Sequence, residues 1–113
     1  MNDVSENIKE GYVDAYINTI INACWDAPGG MRFSFANFGK DRNLRLEVEK
    51  EINYTGEGDD WNMIDIVVYK QNVTDPRGRK MDIAIGDEMN IHMLDCYRVL
   101  LGIADGSRKL SLL

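Results

Sequence analysis

Histidine, cysteine and grouped carboxylates are the residue types that most often do chemistry, and this 113-residue sequence places few of them at productive spacings. His92 is its single histidine, and no nucleophile and orienting acid can be assigned to it as a hydrolytic triad requires. Cys24 and Cys96 stand far apart, form no CxxC, and indicate neither a zinc site nor a dithiol redox site. Each lies in an apolar pattern and reads as a small buried hydrophobe. Glu57, Asp59 and Asp60 lack the alternating ligands and closing glutamate of a calcium loop, so they read as a solvated hairpin tip. Asp65 and Asp82 fall on neighbouring strands without a lysine partner or third ligand, which leaves them as surface charge rather than a nuclease pair. No glycine-rich loop leads from a strand into a helix in phosphate-binding form. The expectation is a protein that is not an enzyme and holds no metal and no cofactor.

The elements that position these residues can be traced by period. A helix opens at Asp3 or Ser5, and from Tyr12 onward Val13, Tyr16, Ile17, Ile20, Ile21 and Cys24 share one face. The same angular face carries Glu6, Lys9 and Glu10, so residues 1–10 are expected as a frayed or projecting arm. Pro28-Gly29-Gly30 ends the helix. Four strands follow. Met31, Phe33 and Phe35 alternate with Arg32, Ser34 and Ala36; Leu44, Leu46, Val48, Lys50, Ile52 and Tyr54 alternate with Arg45, Glu47, Glu49 and Glu51. Ile64, Ile66 and Val68 point inward on the third strand, with Met63, Asp65, Val67 and Tyr69 outward. Met81, Ile83 and Ile85 point inward on the fourth, with Asp82 and Ala84 outward. Asp75-Pro76-Arg77-Gly78 is turn chemistry. Gly86 stops the fourth strand in this reading, and Asp87 caps a last helix with Met89, Met93, Cys96, Tyr97, Leu100 and Ile103 on its apolar face and Ile91 facing away. The predicted fold is α+β in the order α-β-β-β-β-α: an N-terminal helix, a four-stranded antiparallel meander and a C-terminal helix packed across the sheet, all one domain over 1–113, with 107–113 a flexible tail.

Composition sets the surroundings. The chain is 44% hydrophobic with net charge −6, and no stretch approaches the ~20 apolar residues of a membrane span. The acids of its first residues are unlike a secretory leader, which predicts a cytoplasmic location with no membrane partner. Residues 1–28 set Asp3, Glu6, Glu10, Asp14 and Asp26 against Lys9 alone. Such a field repels a phosphate backbone unless a local basic strip outweighs it.

The outer sheet face is the remaining candidate site. It presents Glu47, Glu49, Glu51, Asp65 and Asp82 against Arg32, Arg45 and Lys80, with Met63, Val67 and Tyr69 as an apolar strip, Trp61 near its start and the basic turn Arg77-Gly78-Arg79-Lys80 beside it. Over about 31–104 the ββββα order resembles, in topology alone, PC4-like and whirly-type single-stranded DNA-binding domains. That resemblance implies a homodimer formed through the helix and a nucleic-acid face of strand-borne aromatic and basic residues. This sequence lines the same face with glutamates. The leading expectation is therefore a protein-interaction module, of the kind of a phage-type inhibitor, that docks Glu47, Glu49, Glu51, Asp65, Val67 and Tyr69 on a partner with a basic surface. The alternative is single-stranded nucleic-acid binding through Arg32, Arg45, Trp61, Tyr69, Arg77, Arg79 and Lys80. The wide apolar face of the last helix and the tail Leu110–Leu113 point to a homodimer.

Overall fold

A computed structural model gives the architecture for residues 3–52 and 62–111, with side chains from residue 11 onward. The expected arm at 1–10 (as side chains), the acids Glu57, Asp59 and Asp60, and Trp61 lie outside the described residues. The elements are α1 (Asp3–Trp25), β1 (Arg32–Phe38), β2 (Leu44–Lys50), β3 (Met63–Thr74), β4 (Lys80–His92), a 3-10 turn (Met93–Asp95) and α2 (Cys96–Asp105). The strands form one antiparallel sheet in the order β1-β2-β3-β4. The α+β fold, with helices at both ends of a four-stranded antiparallel meander, is as the hydrophobic periods predict. None of the described helices is long and apolar enough to cross a membrane.

The spacing of α1 explains its burial. Val13, Ile17, Ile20 and Cys24 recur at intervals of three and four, all sink into the core, and Tyr12, Tyr16 and Ile21 pack at its margin. No basic residue stands in the last turn of α1 to meet its unsatisfied carbonyls. A strand supplies one instead. Lys50, at the end of β2, is 5% exposed, and its Nζ donates to the carbonyls of Cys24 at 2.7 Å and Trp25 at 3.2 Å. The cation therefore adds to the Ala27 N–H at the Cys24 carbonyl and serves the Trp25 carbonyl at the negative end of the helix dipole, where partly buried examples reach ~2 kcal/mol. β1 also meets α1 through tyrosines, with the Tyr12 and Tyr16 hydroxyls donating to the carbonyls of Asn37 and Ala36.

The sequence reading and the structure part at Gly86. In place of a helix from Asp87, β4 runs on to His92, pairing Gly86 with Val68, Asp87 with Val67, Glu88 with Ile66 and Ile91 with Ile64. Ile91, expected outward, is buried at 7%, while Met89, expected in the apolar face, is 61% exposed. The cause is a bulge: Met89 and Asn90 together face Asp65, with Asn90 at φ 60°, so the 89–93–96 spacing imitates a helix across a kinked strand. The 3-10 turn is capped by His92, whose Nδ1 accepts the Leu94 N–H at 3.0 Å. Asp87 and Glu88 are therefore not helix caps. The Asp87 N–H donates to the Ser111 carbonyl at 2.9 Å, and Glu88 is gripped by Arg108 through Nε at 2.9 Å and Nη2 at 3.2 Å. Leu110 packs over Gly86, where a Cβ would lie 2.4 Å from that of Leu110.

Replacement of Lys50 by Met keeps the packing volume, removes the side-chain donor of the Trp25 carbonyl and leaves the Cys24 carbonyl with the Ala27 N–H alone. We expect a loss of ~1–3 kcal/mol in urea unfolding, with the denaturant slope unchanged. A melting profile identical to wild type would show that the cap contributes nothing.

Candidate functional site on the outer sheet face

Period two decides what reaches the outer face. With Lys50, Val48 and Leu46 turned inward, Glu49, Glu47 and Arg45 must turn outward. Register then sets Arg32, Glu49 and Asp65 in one row across β1, β2 and β3, Ser34, Glu47 and Val67 in the next, and Arg45 beside Tyr69 and Ala84 in a third. The first two rows line a concavity of about 470 Å³, to which Phe33 and Val48 also contribute.

Arg45 organises the third row. Its guanidinium bonds Glu47 at 2.7 Å and Asp82 at 2.8 Å, reaches the Ser34 hydroxyl at 3.4 Å and lies 4.1 Å over the Tyr69 ring. The Tyr69 hydroxyl donates to Glu47 at 3.3 Å. Arg45 holds the Asp82 carboxyl below its usual range, and the Asn72 N–H adds to that effect. Arg32 pairs with Glu49 at 2.6 Å. Asp65 accepts the Asn90 N–H at 3.0 Å.

The rim of the concavity is crowded with acid. Burial, first, and then a hydrogen bond and charge from Asp65, with further charge from Glu49, raise the Glu51 carboxyl above the ordinary glutamate range. Two carboxyls share a proton more comfortably than they share two negative charges. A cation arriving at this rim would relieve the same repulsion.

The structure brings Glu47, Glu49, Asp65 and Val67 to one concavity, sets Glu51 on its rim through Asp65, and leaves Tyr69 beside it with one ring face covered. It divides the basic set. Arg32 and Arg45 are committed to carboxylates, Arg79 pairs with Asp75 at 3.1 Å, and Arg77 and Lys80 lie at the far tip of the β3–β4 hairpin. Trp61 lies outside the described residues.

Sequence reasoning missed the part played by asparagine. Asn37, Asn72 and Asn90 each take a left-handed conformation at a strand irregularity, with φ of 56°, 57° and 60°. In each case the N–H is accepted by a side chain of another strand: Gln71 Oε1 at 2.8 Å, Asp82 Oδ1 at 3.0 Å and Asp65 Oδ1 at 3.0 Å. Asparagine inside a strand pattern was the available signal, because it is poor in strands and at home in that conformation. Asp65 and Asp82, read from the sequence as surface charge, are tied to backbone donors. Among the described residues no group of three or more His, Cys, Asp or Glu is placed to hold a metal ion. The cysteine thiols are pushed up by burial, Cys24 to about 11 and Cys96 to about 12, which leaves them protonated at neutral pH.

No family model, curated protein or solved structure matches this chain. The reading of the site rests on its own geometry.

A carboxyl raised in the folded state holds a proton that the unfolded chain has already released, so its contribution to stability falls as pH rises through that interval. Glu51→Gln removes this term. The stability difference between variant and wild type should therefore shift in favour of the variant from about pH 4 to 7. A difference flat across that range, in urea titrations at each pH, contradicts the crowding at Glu51.

Proposed function

We propose that the chain is a non-enzymatic, cytoplasmic protein-interaction module whose outer sheet face receives a basic surface of a partner protein, as a small acidic inhibitor does. The observation that carries this reading is the crowded carboxylate rim of Glu49, Glu51 and Asp65 around a concavity lined in part by apolar Val67. A lysine or arginine of a partner placed there meets several carboxylates and covers an apolar strip at once. Opposite charge also steers the encounter, so the association should be fast at low salt. Nucleic acid is the less favoured guest. Arg32 and Arg45 are already neutralised by neighbouring acids, and the Arg45 guanidinium occupies one face of the Tyr69 ring where a base would stack. A homodimer, where formed, is assigned to the exposed stripe Leu94, Tyr97 and Leu101, which lies off this face.

A labelled lysine- and arginine-rich peptide tests the reading by fluorescence anisotropy across a salt series. Wild type should bind it with affinity falling as salt rises, and Glu47→Lys, Glu49→Lys and Glu51→Lys together should weaken binding at low salt by about tenfold or more. A labelled oligonucleotide should show no shift at micromolar protein. Equal peptide affinity in the triple variant, with its circular dichroism unchanged, would reject this face as the contact.

A further inference from the structure

The sheet has a second, inner surface that the helices do not fully cover. β3 and β4 are 12 and 13 residues long against 7 for β1 and β2, so their far ends form a two-stranded arm beyond the last β2 pair, Leu44 with Lys70. Register keeps the inner row running along that arm: Lys70 faces Ile83, and Val73 faces Met81. Here the row is uncovered, with Ile83 41% and Met81 50% exposed. At its base it meets a hollow of about 480 Å³ between the end of α2, the 40–44 segment and the tail, with Leu44, Ile85, Ile103 and Leu110 in its lining and Lys40 and Asp105 among its polar residues.

The charges around this trough differ from those of the outer face. Lys70 stands in the middle of the apolar row and Arg77 at the tip of the arm, whereas Lys80, paired with Thr74, turns to the outer face. These three make no ion pair among the described residues, where the paired cations are Arg32, Arg45, Arg79, Arg98 and Arg108. Of the nearby acids, Asp105 already accepts the Ser107 N–H, Asp75 holds Arg79, and Asp41 shares the lining of the hollow with Lys40. The trough is lined by aliphatic rather than aromatic residues, which suits leucine-type side chains and gives nucleic-acid bases nothing to stack on. Its hollow, set behind the end of a helix, suits inserted side chains better than a flat lipid surface.

We propose that this inner trough docks an acidic amphipathic helix of a protein partner, with the partner's aliphatic stripe on Leu44, Ile83, Ile85 and Met81 and its carboxylates toward Lys70 and Arg77. The site lies on the opposite side of the sheet from the acidic concavity. The molecule therefore has two docking faces of opposite charge preference, and each stands or falls without the other.

The probe is a labelled helical peptide with a leucine stripe and glutamate at its other positions, beside a twin with lysine for every glutamate. The glutamate peptide should bind, and amide shifts in NMR spectra should map to Leu44, Ile83 and Ile85. Lys70→Glu should weaken it about fivefold or more and Ile83→Glu about tenfold or more. Both positions are at the surface, so the variants should retain the wild-type spectrum and melting temperature. Failure of the glutamate peptide to bind, binding that both variants leave unchanged, or shifts that map to Leu94 and Tyr97 would overturn the proposal. So would a dimer in light scattering that Ile83→Glu dissolves, since that result assigns the trough to a second copy. The lysine twin should ignore both variants; its own binding or failure reports on the outer face alone.

Discussion

A buried ammonium holds this fold in register. Lys50 enters the core from β2 to meet the last carbonyls of α1, and a strand has only two faces. Fixing Lys50 inward fixes Leu46 and Val48 inward and forces Glu47, Glu49 and Glu51 outward. A slip of one residue would move the glutamates into the core and strand the ammonium in water, at a cost far beyond the few kcal/mol margin of a small domain. The same contact that ties the helix to the sheet therefore also selects the chemistry of the opposite surface.

The outer acids serve the fold before they serve any partner. Asp65 and Asp82 each hold the N–H of a left-handed asparagine on β4 or β3, and the bulges they secure bend the long hairpin away from the flat pleat. Arg45 binds Asp82 and Glu47 and lies over Tyr69, so much of the third row is internally compensated. Glu49 pairs with Arg32, and what remains without a basic partner among the described residues is the rim at Glu51 and Asp65. That division explains why a face rich in charge offers one strongly acidic place instead of a uniform field.

The strands up to Ile85, the inward turn of Lys50 and the outward row of glutamates were legible in the sequence because period two is unambiguous in residues 44–50. The stretch from Gly86 to Met93 was not. Its bulge at Met89 and Asn90 shifts the alternation by one residue, and the resulting spacing of Met89, Met93 and Cys96 fits a helix equally well. Only pairing with Ile64 and Ile66, distant in sequence, decides for the strand. The consequence reaches the oligomer argument, since the wide apolar face of a helix from Asp87 shrinks to α2 with Leu94, Tyr97 and Leu101 exposed. The membership of the acidic rim could be read from sequence, whereas its grip on Asn90 and the commitment of Arg32 and Arg45 depended on cross-strand distances. No local pattern reports those.

The two sides of the sheet offer different chemistry to a partner, acid around a concavity on one and, on the other, aliphatic residues beside Lys70, which makes no ion pair among the described residues. The central claim concerns the first. A photo-crosslinking residue at Val67, in nuclease-treated extract of the native host, tests it most directly. The account predicts a crosslink to a basic protein, lost in high salt. Crosslinks to nucleic acid alone before nuclease treatment, with no protein captured at Val67 afterwards, would contradict it.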